Sequence, residues 1–400
     1  MNDSCIPYGA YWSTPFSKWQ GSFSHLHAIE FAAHVGKQSL LSKDIPVQEF
    51  DYGVLGTTIP QLSIFYGLPW LTGMLGASQV GGPTIAQACA TSARVMAAAS
   101  AEIENKAASC VIAICADRVS NGPHLYYPNP GGPGGTGRAE DWVMDNFAQD
   151  PYAKCDMTST AENCAEKWKI STDEQHEVVL RRFEQYKDAT TMIDGRSFQH
   201  KYMTLPFEVP DSRYRKTLST LEGDEGISTT SKAGLAKLKP VKKGGTVTYG
   251  GQTHPADGST GMVICSAAKA KELSSRPEVK ISLKSFGQAR VEMAYMPSAP
   301  VPAAQKALSA ANLDIKDIAV IKSHNPFAVN DILFAREMGV DVMNMNNYGC
   351  SLIWGHPQGP TGMRSIIELI EELVLTGGGY GLFHGCAAGD TAMAVVIEVS

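Results

Sequence analysis

Hydrophobic positions along the chain switch repeatedly between helical and strand spacing. Residues 24–42 place Leu26, Ile29, Ala32, Ala33 and Leu40 at helical intervals, and residues 54–59 then read as a strand. A short extended run, 84–88, leads into an Ala-rich segment at 90–106. That segment carries so few charges that it predicts a helix buried nearly all round. Residues 109–116 (SCVIAICA) are continuously apolar, as in a central strand covered on both faces. Strand, helix and strand in this order predict a βαβ unit.

The character changes between about 121 and 250. Residues 129–137 (NPGGPGGTG) form a Gly/Pro loop, and 159–188 are a charged amphipathic helical stretch. Residues 205–245 are polar and rich in Lys, Asp and Gly, as expected of an excursion over the surface of an αβ core. Alternation then resumes. Strands are expected at 261–268, 279–286, 318–322, 340–345, 380–385 and 391–399, with helices at 301–311, 328–338 and 360–376. The two ends share one order of elements, which points to a structural duplication. The expected class is α/β: two duplicated αβ halves in a five-layer αβαβα core with an inserted loop domain. The layout would be 1–120 with 250–270 as the N-terminal half, 121–249 as the insertion, and 271–400 as the C-terminal half.

Composition narrows the function. The chain has 400 residues, 44% hydrophobic and 18% charged, enough for two or three domain-sized units with a large core. Its net charge of -6 argues against general nucleic-acid or polybasic membrane binding. No run approaches the roughly 20 apolar residues of a membrane span. The segment from Met1 to Trp12 lacks the basic then apolar pattern of a signal peptide. Nine cysteines with no CxxC pair or zinc-finger spacing predict no structural zinc site and reduced thiols in a cytoplasm.

Two cysteines and two histidines stand out. Cys89 follows an extended run and opens the Ala-rich helix, where the helix dipole favours a thiolate; the position equally suits a small buried residue. His356 lies between Gly355 and Pro357 just before a helix, as a general base beside a thiol would, or as a turn histidine bonded locally. Cys386 sits among Gly385, Ala387, Ala388 and Gly389 between two expected strands, with backbone N–H groups available to a ligand, or in a tight hairpin. His324 follows the strand at 318–322, at the end where αβ folds bind ligands, or in a turn closed by Asn325 and Pro326. His384 is a further candidate that nothing separates from a strand-end residue. Together such groups suit Claisen chemistry on thioesters: one thiolate takes the acyl group, a His deprotonates it, and a second thiol moves the α-proton.

Taken in order, these segments resemble the thiolase superfamily over nearly the whole chain. The resemblance rests on Thr14, Pro15 and Phe16; on Cys89 with its small-residue helix and residues 111–121; and on residues 157–163 (MTSTAEN). It continues through 235–240 (LAKLKP) and 245–248, the Gly355, His356, Pro357 motif with Gly359 and Gly362, and Cys386. It implies Cys89 as the acylated nucleophile, His356 as its activator and Cys386 as the α-proton acid/base. His324 would stand in an oxyanion hole, at the head of an HNPF segment near the family's HDCF version. The N–H groups of Cys89 and Ala388 would form a second hole. Met157, Thr253, Met296 and Phe327 would line the CoA and acyl channel. Coenzyme A is then a co-substrate, with no permanently bound cofactor and no metal, and a homodimer or larger oligomer is implied.

The chain also departs from the pattern. The CxG motif has become Cys386, Ala387, Ala388; residues 251–259 (GQTHPADGS) replace a more familiar segment; Cys350 takes a glycine position; and Ile227 stands where an Arg often contacts the CoA nucleotide. Such departures resemble thiolases that work with a small zinc-containing OB-fold subunit, and imply such a partner. Two other readings compete. A condensing β-ketoacyl synthase-type enzyme usually has two histidines and no second active-site cysteine. A non-catalytic acyl-CoA- or lipid-binding scaffold would not need Cys89, His356 and Cys386 together.

Overall fold

The computed structural model describes residues 4–400, so the first three residues of the segment examined for a signal peptide lie outside the described residues. A mixed sheet runs through both halves. Its order is Ile318–His324, Gly379–Ala387, Thr391–Val399, Lys280–Arg290, Ser4–Pro7, Ala256–Ser266, Cys110–Arg118, Tyr52–Gly56, Thr84–Ile85. Cys110–Arg118 pairs in parallel with Tyr52–Gly56 and antiparallel with Ala256–Ser266. Gly379–Ala387 repeats this arrangement, parallel to Ile318–His324 and antiparallel to Thr391–Val399. The duplication is therefore one of topology. Ser4–Pro7 joins the halves, pairing with Ala256–Ser266 on one side and Lys280–Arg290 on the other.

Two helices, Thr91–Glu104 and Gln358–Leu375, pack on each other and on strands of both halves, and so form the central layer. Ala28–Ser42 covers the N-terminal strands from outside, and Pro300–Ala311 covers the C-terminal ones. These are the five expected layers. Small residues allow the central packing: Ala93, Ala99 and Ser92 on one helix, Gly359 and Gly362 on the other, are all buried. Among the described residues no helix is long and apolar enough to cross a membrane.

The helical stretch expected at 159–188 is two helices, Met157–Trp168 and Thr172–Thr190, and two other expectations are corrected. Lys169 turns into the left-handed region (φ 54°), and Ser171 with Glu174 forms a capping box that restarts the chain. The strand expected at 340–345 is a 3-10 turn, Val342–Asn344, capped by Asp341. Its carbonyls are taken by side chains: Arg182 donates to Val342 O and Met345 O, and Arg181 to Met343 O. Cys386 lies inside the Gly379–Ala387 strand, opposite Ala392, and not between strands.

Candidate active site

Four chain segments meet over the central helices. Ala88 adopts φ 43°, unusual for a residue with a Cβ, and turns the chain so that Cys89 stands just ahead of the Thr91–Glu104 helix. The turn is held locally, since Thr91 Oγ1 accepts from Gln87 N at 2.8 Å and donates to Ala88 O at 2.7 Å. His356 follows Gly355, whose φ of 93° and closeness to His254 and Ala256 leave no room for a Cβ. His356 N donates to His254 O at 2.8 Å, which docks this loop on the segment carrying Thr253.

Hydrogen bonding settles the tautomer of His356. Thr361 Oγ1 donates to Pro357 O at 2.6 Å, so its 2.7 Å contact with His356 Nδ1 must be acceptance from Nδ1–H. Nε2 is then the basic nitrogen, and it is buried without a hydrogen-bond partner. His324 stacks on His356 with ring centroids 3.9 Å apart, and its Nδ1 lies 2.9 Å from Ser351 Oγ. His324 Nε2 is likewise buried and unpartnered. Ligand-capable atoms of Cys89, His324 and His356 all lie within 4.8 Å of one another.

Beside them is a cavity of about 480 Å³. Cys89, His356 and Ala388 reach it, as do all four residues expected along the channel: Met157, Thr253, Met296 and Phe327. His324 and Cys386 are fully buried and do not line it. Asn330 Nδ2 donates to Cys386 Sγ at 3.3 Å. His384 shares the strand face of Cys386 but is stacked on Phe334, away from the cavity wall.

The electrostatics modify one expectation. Burial pushes the Cys89 thiol up to about 12, and N–H groups of Ala388 and Cys89 only partly offset this. Desolvation thus outweighs the helix terminus, and the thiolate forms only as its proton is taken. Burial, with His324 and His254 as further causes, holds His356 well below its ordinary value, so it is neutral and able to accept. Burial lowers His324 to about 3 against the opposing pull of Asp331. Burial, aided by Cys89, raises the Cys386 thiol well above the usual range.

Several residues escaped the sequence reading. Asp117 accepts from Thr57 Oγ1, from the N–H and hydroxyl of Thr58, from Ile59 N, and from Gly359 N at 2.6 Å. It ties a cavity wall to the helix behind His356. A lone carboxylate closing an apolar strand was the available signal. Trp142, Val143 and Phe147 reach the cavity from the 121–249 segment, where composition suggested only surface; Trp142 Nε1 donates to Thr58 O at 3.1 Å.

A thiol, a neutral imidazole with a ring nitrogen within 4.8 Å of it and two backbone donors are a set suited to acyl transfer through sulfur. Sequence comparison gives the family. The thiolase N-terminal domain matches residues 10–268 and the thiolase C-terminal domain residues 277–399, so the chain belongs to the thiolase family and is an acyltransferase. It is 29% identical over 396 residues to acetyl-CoA acetyltransferase 2 of Arabidopsis thaliana, covering 96% of this chain and 95% of that one. It is 27% identical over 396 residues to the human mitochondrial 3-ketoacyl-CoA thiolase, covering 96% of each. The crystal structure of that human enzyme superposes with a TM-score of 0.89 at 26% identity over 100% of both chains. Its complex with CoA gives 0.87 at 26% identity, covering 99% of this chain and 98% of that one.

Proposed function

We propose that this chain catalyses CoA-dependent cleavage of a β-ketoacyl-CoA, or the reverse Claisen condensation, through an acyl-Cys89 intermediate. The observation that carries this is the Cys89, His356, His324 cluster beside an apolar cavity. His356 Nε2 takes the Cys89 proton, and the sulfur attacks the β-keto carbonyl. The C–C bond breaks, its electron pair leaves as the enolate of the shorter acyl-CoA, and Cys386 protonates that carbon. The Cys386 thiolate then takes the proton of the CoA thiol as its sulfur attacks acyl-Cys89, the Cys89 sulfur leaves and recovers its proton from His356, and the second acyl-CoA is released. His356 and His324 serve the oxyanion on one side, and the N–H groups of Cys89 and Ala388 on the other.

The cavity supports an aromatic acyl group. Ile59, Trp142, Val143, Phe147 and Phe327 line it, and no charged side chain does. The specific substrate we propose is benzoylsuccinyl-CoA, with benzoyl on Cys89 and succinyl-CoA released first. Coenzyme A is the co-substrate, and Met157, Thr253, Met296 and Phe327 form its channel. A homodimer or larger oligomer is supported by Leu62, Phe65 and Tyr66, at 86%, 92% and 66% exposure. We further propose a cytoplasmic setting and a small zinc-containing OB-fold partner subunit; the altered segments at 251–259 and 386–388 support the partner. The test is incubation with aliphatic and aromatic acyl-CoAs, alone and with that subunit, followed by peptide mass spectrometry. A thioester on the Cys89 peptide, favoured by benzoyl-CoA, is expected. No adduct with any donor, with or without the subunit, refutes the proposal.

A further inference from the structure

The reaction leaves one property of the cluster unused. Cys89, His324 and His356 each present a ligand-capable atom within 4.8 Å of the other two. The two Nε2 atoms are buried and unpartnered, at residues 0% and 7% exposed, whereas buried nitrogens normally have partners. Each Nδ1 is held from behind by a hydroxyl, Thr361 for His356 and Ser351 for His324. Ser351 in turn donates to Asn325 Oδ1 at 3.1 Å, which leaves its oxygen to accept from His324 Nδ1–H. Both rings can thus present Nε2 lone pairs beside one sulfur, with outer hydrogen bonds of the kind that orient metal-bound imidazoles.

We propose that this cluster is a binding site for a borderline-soft divalent cation of the Zn²⁺ type, and that the bound ion switches the acyl-transfer site off. The ligand set is one thiolate and two neutral imidazoles, with the fourth tetrahedral position open to water from the cavity. Binding forms one Zn–S and two Zn–N bonds; the Cys89 proton leaves to solvent, and no electron is transferred. Tetrahedral zinc needs ligand atoms roughly 3.4–3.6 Å apart, from Zn–S of about 2.3 Å and Zn–N of about 2.0 Å. The cluster must therefore close by about 1.4 Å at most, and the stacked rings must tilt so that their lone pairs converge. Hydroxyl partners can follow that tilt. The ion occupies the Cys89 sulfur and the His356 nitrogen together, so a liganded site can neither be acylated nor take up the thiol proton. The inference rests on the active-site reading above, but it is read out independently of turnover.

Cobalt is the probe. Metal-free protein is titrated with Co²⁺ while the thiolate-to-cobalt charge-transfer band and the visible bands of tetrahedral Co²⁺ are followed. One equivalent per chain is expected, displaced by Zn²⁺, with the charge-transfer band lost in Cys89→Ser and affinity at least tenfold weaker in His324→Asn. Cys155→Ser, at a thiol outside the cluster, should bind as the unmodified chain does. Zn²⁺ should also protect the Cys89 peptide from iodoacetamide, and EDTA should restore labelling. Absence of the charge-transfer band, its persistence in Cys89→Ser, or unchanged alkylation under saturating Zn²⁺ overturns the proposal. Acyl-CoA labelling of the metal-free chain is scored separately, so a thiolase that fails to bind metal is distinguishable from a metal-binding chain that is not a thiolase.

Discussion

Replacing Thr361 by Val removes a single hydrogen bond from His356, the proposed base, while keeping the side-chain shape. Thr361 accepts Nδ1–H of His356 at 2.7 Å and donates to Pro357 O at 2.6 Å. The Pro357 carbonyl retains Thr361 N at 3.1 Å, so the helix start keeps a bond. His356 does not: its Nδ1–H would face a methyl group in a buried site. Losing the acceptor should cost the Nδ1–H tautomer about 1–2 kcal/mol. In the other tautomer Nε2 carries the proton and cannot take one from Cys89. At about 1.4 kcal/mol per tenfold, acylation of Cys89 should slow by about 5–30-fold. The assay is single-turnover acylation at saturating acyl-CoA, quenched and read by intact mass. Thr361→Ser should recover most of the rate. A Thr361→Val enzyme that acylates at the unmodified rate would refute the tautomer argument, and equal slowing in the Ser variant would assign the effect to packing.

Cys386→Ala should still form acyl-Cys89 from an acyl-CoA but lose C–C cleavage by orders of magnitude; equal loss of both partial reactions would contradict its role in moving the α-proton. Asp117→Asn should leave Gly359 N–H facing an amide N–H and destabilise the fold by about 2–4 kcal/mol, measured by urea titration, because hydrogen bonds to a buried charge are among the stronger ones. His324 and His384 are held by burial to about 3 and about 4, below the unfolded value near 6.5. Their neutral form stabilises the native state above pH 6.5, and that stability is lost as pH falls, by about 2 kcal/mol per histidine between pH 6.5 and 5. Urea midpoints at pH 7.5 and 5.0 should show this, and His384→Phe should remove about one histidine's share; identical acid sensitivity in the two proteins would count against it.

Much of the candidate site was legible because its residues are marked by their neighbours. Cys89 is followed by small residues that must pack a central helix, and His356 sits in a turn that Gly355 alone can make. Those are local requirements, and local sequence records them. His324 is placed by the apolar run at 318–322 that precedes it, whereas Cys386 is expected just past a strand that in fact includes it. What stayed hidden was whatever depends on a distant partner. The apolar residues 340–345 look like a strand, yet Arg181 and Arg182, some 160 positions earlier, take their carbonyls and make a turn. Trp142 and Phe147 look like surface insertion until Thr58 brings that segment to the cavity rim.

The helix behind His356 shows the same limit at its most consequential. Its apolar residues, Ile366, Ile367, Leu369, Ile370 and Leu373, predict the face that packs on the sheet. The charged residues between them would ordinarily mark a solvated face, but Arg364, Glu368, Glu371 and Glu372 are all buried. Arg364 packs against both rings of the edge-to-face pair Phe16 and Trp354, with Asp224 bidentate at 2.6 and 2.8 Å and Glu368 at 3.1 Å. Tyr202 donates to Glu368, and Tyr11 and Tyr8 to Glu371. Removing one member of a buried charged pair typically costs about 3–5 kcal/mol, because the other is left uncompensated in low dielectric. Such a network contributes little net stability but strongly disfavours any other register of the helix. Thr361 lies one turn before Arg364 on that same helix, so the placement of His356 is locked by the Tyr202 hydroxyl and the charges of Asp224 and Lys322 as much as by the glycine turn beside it.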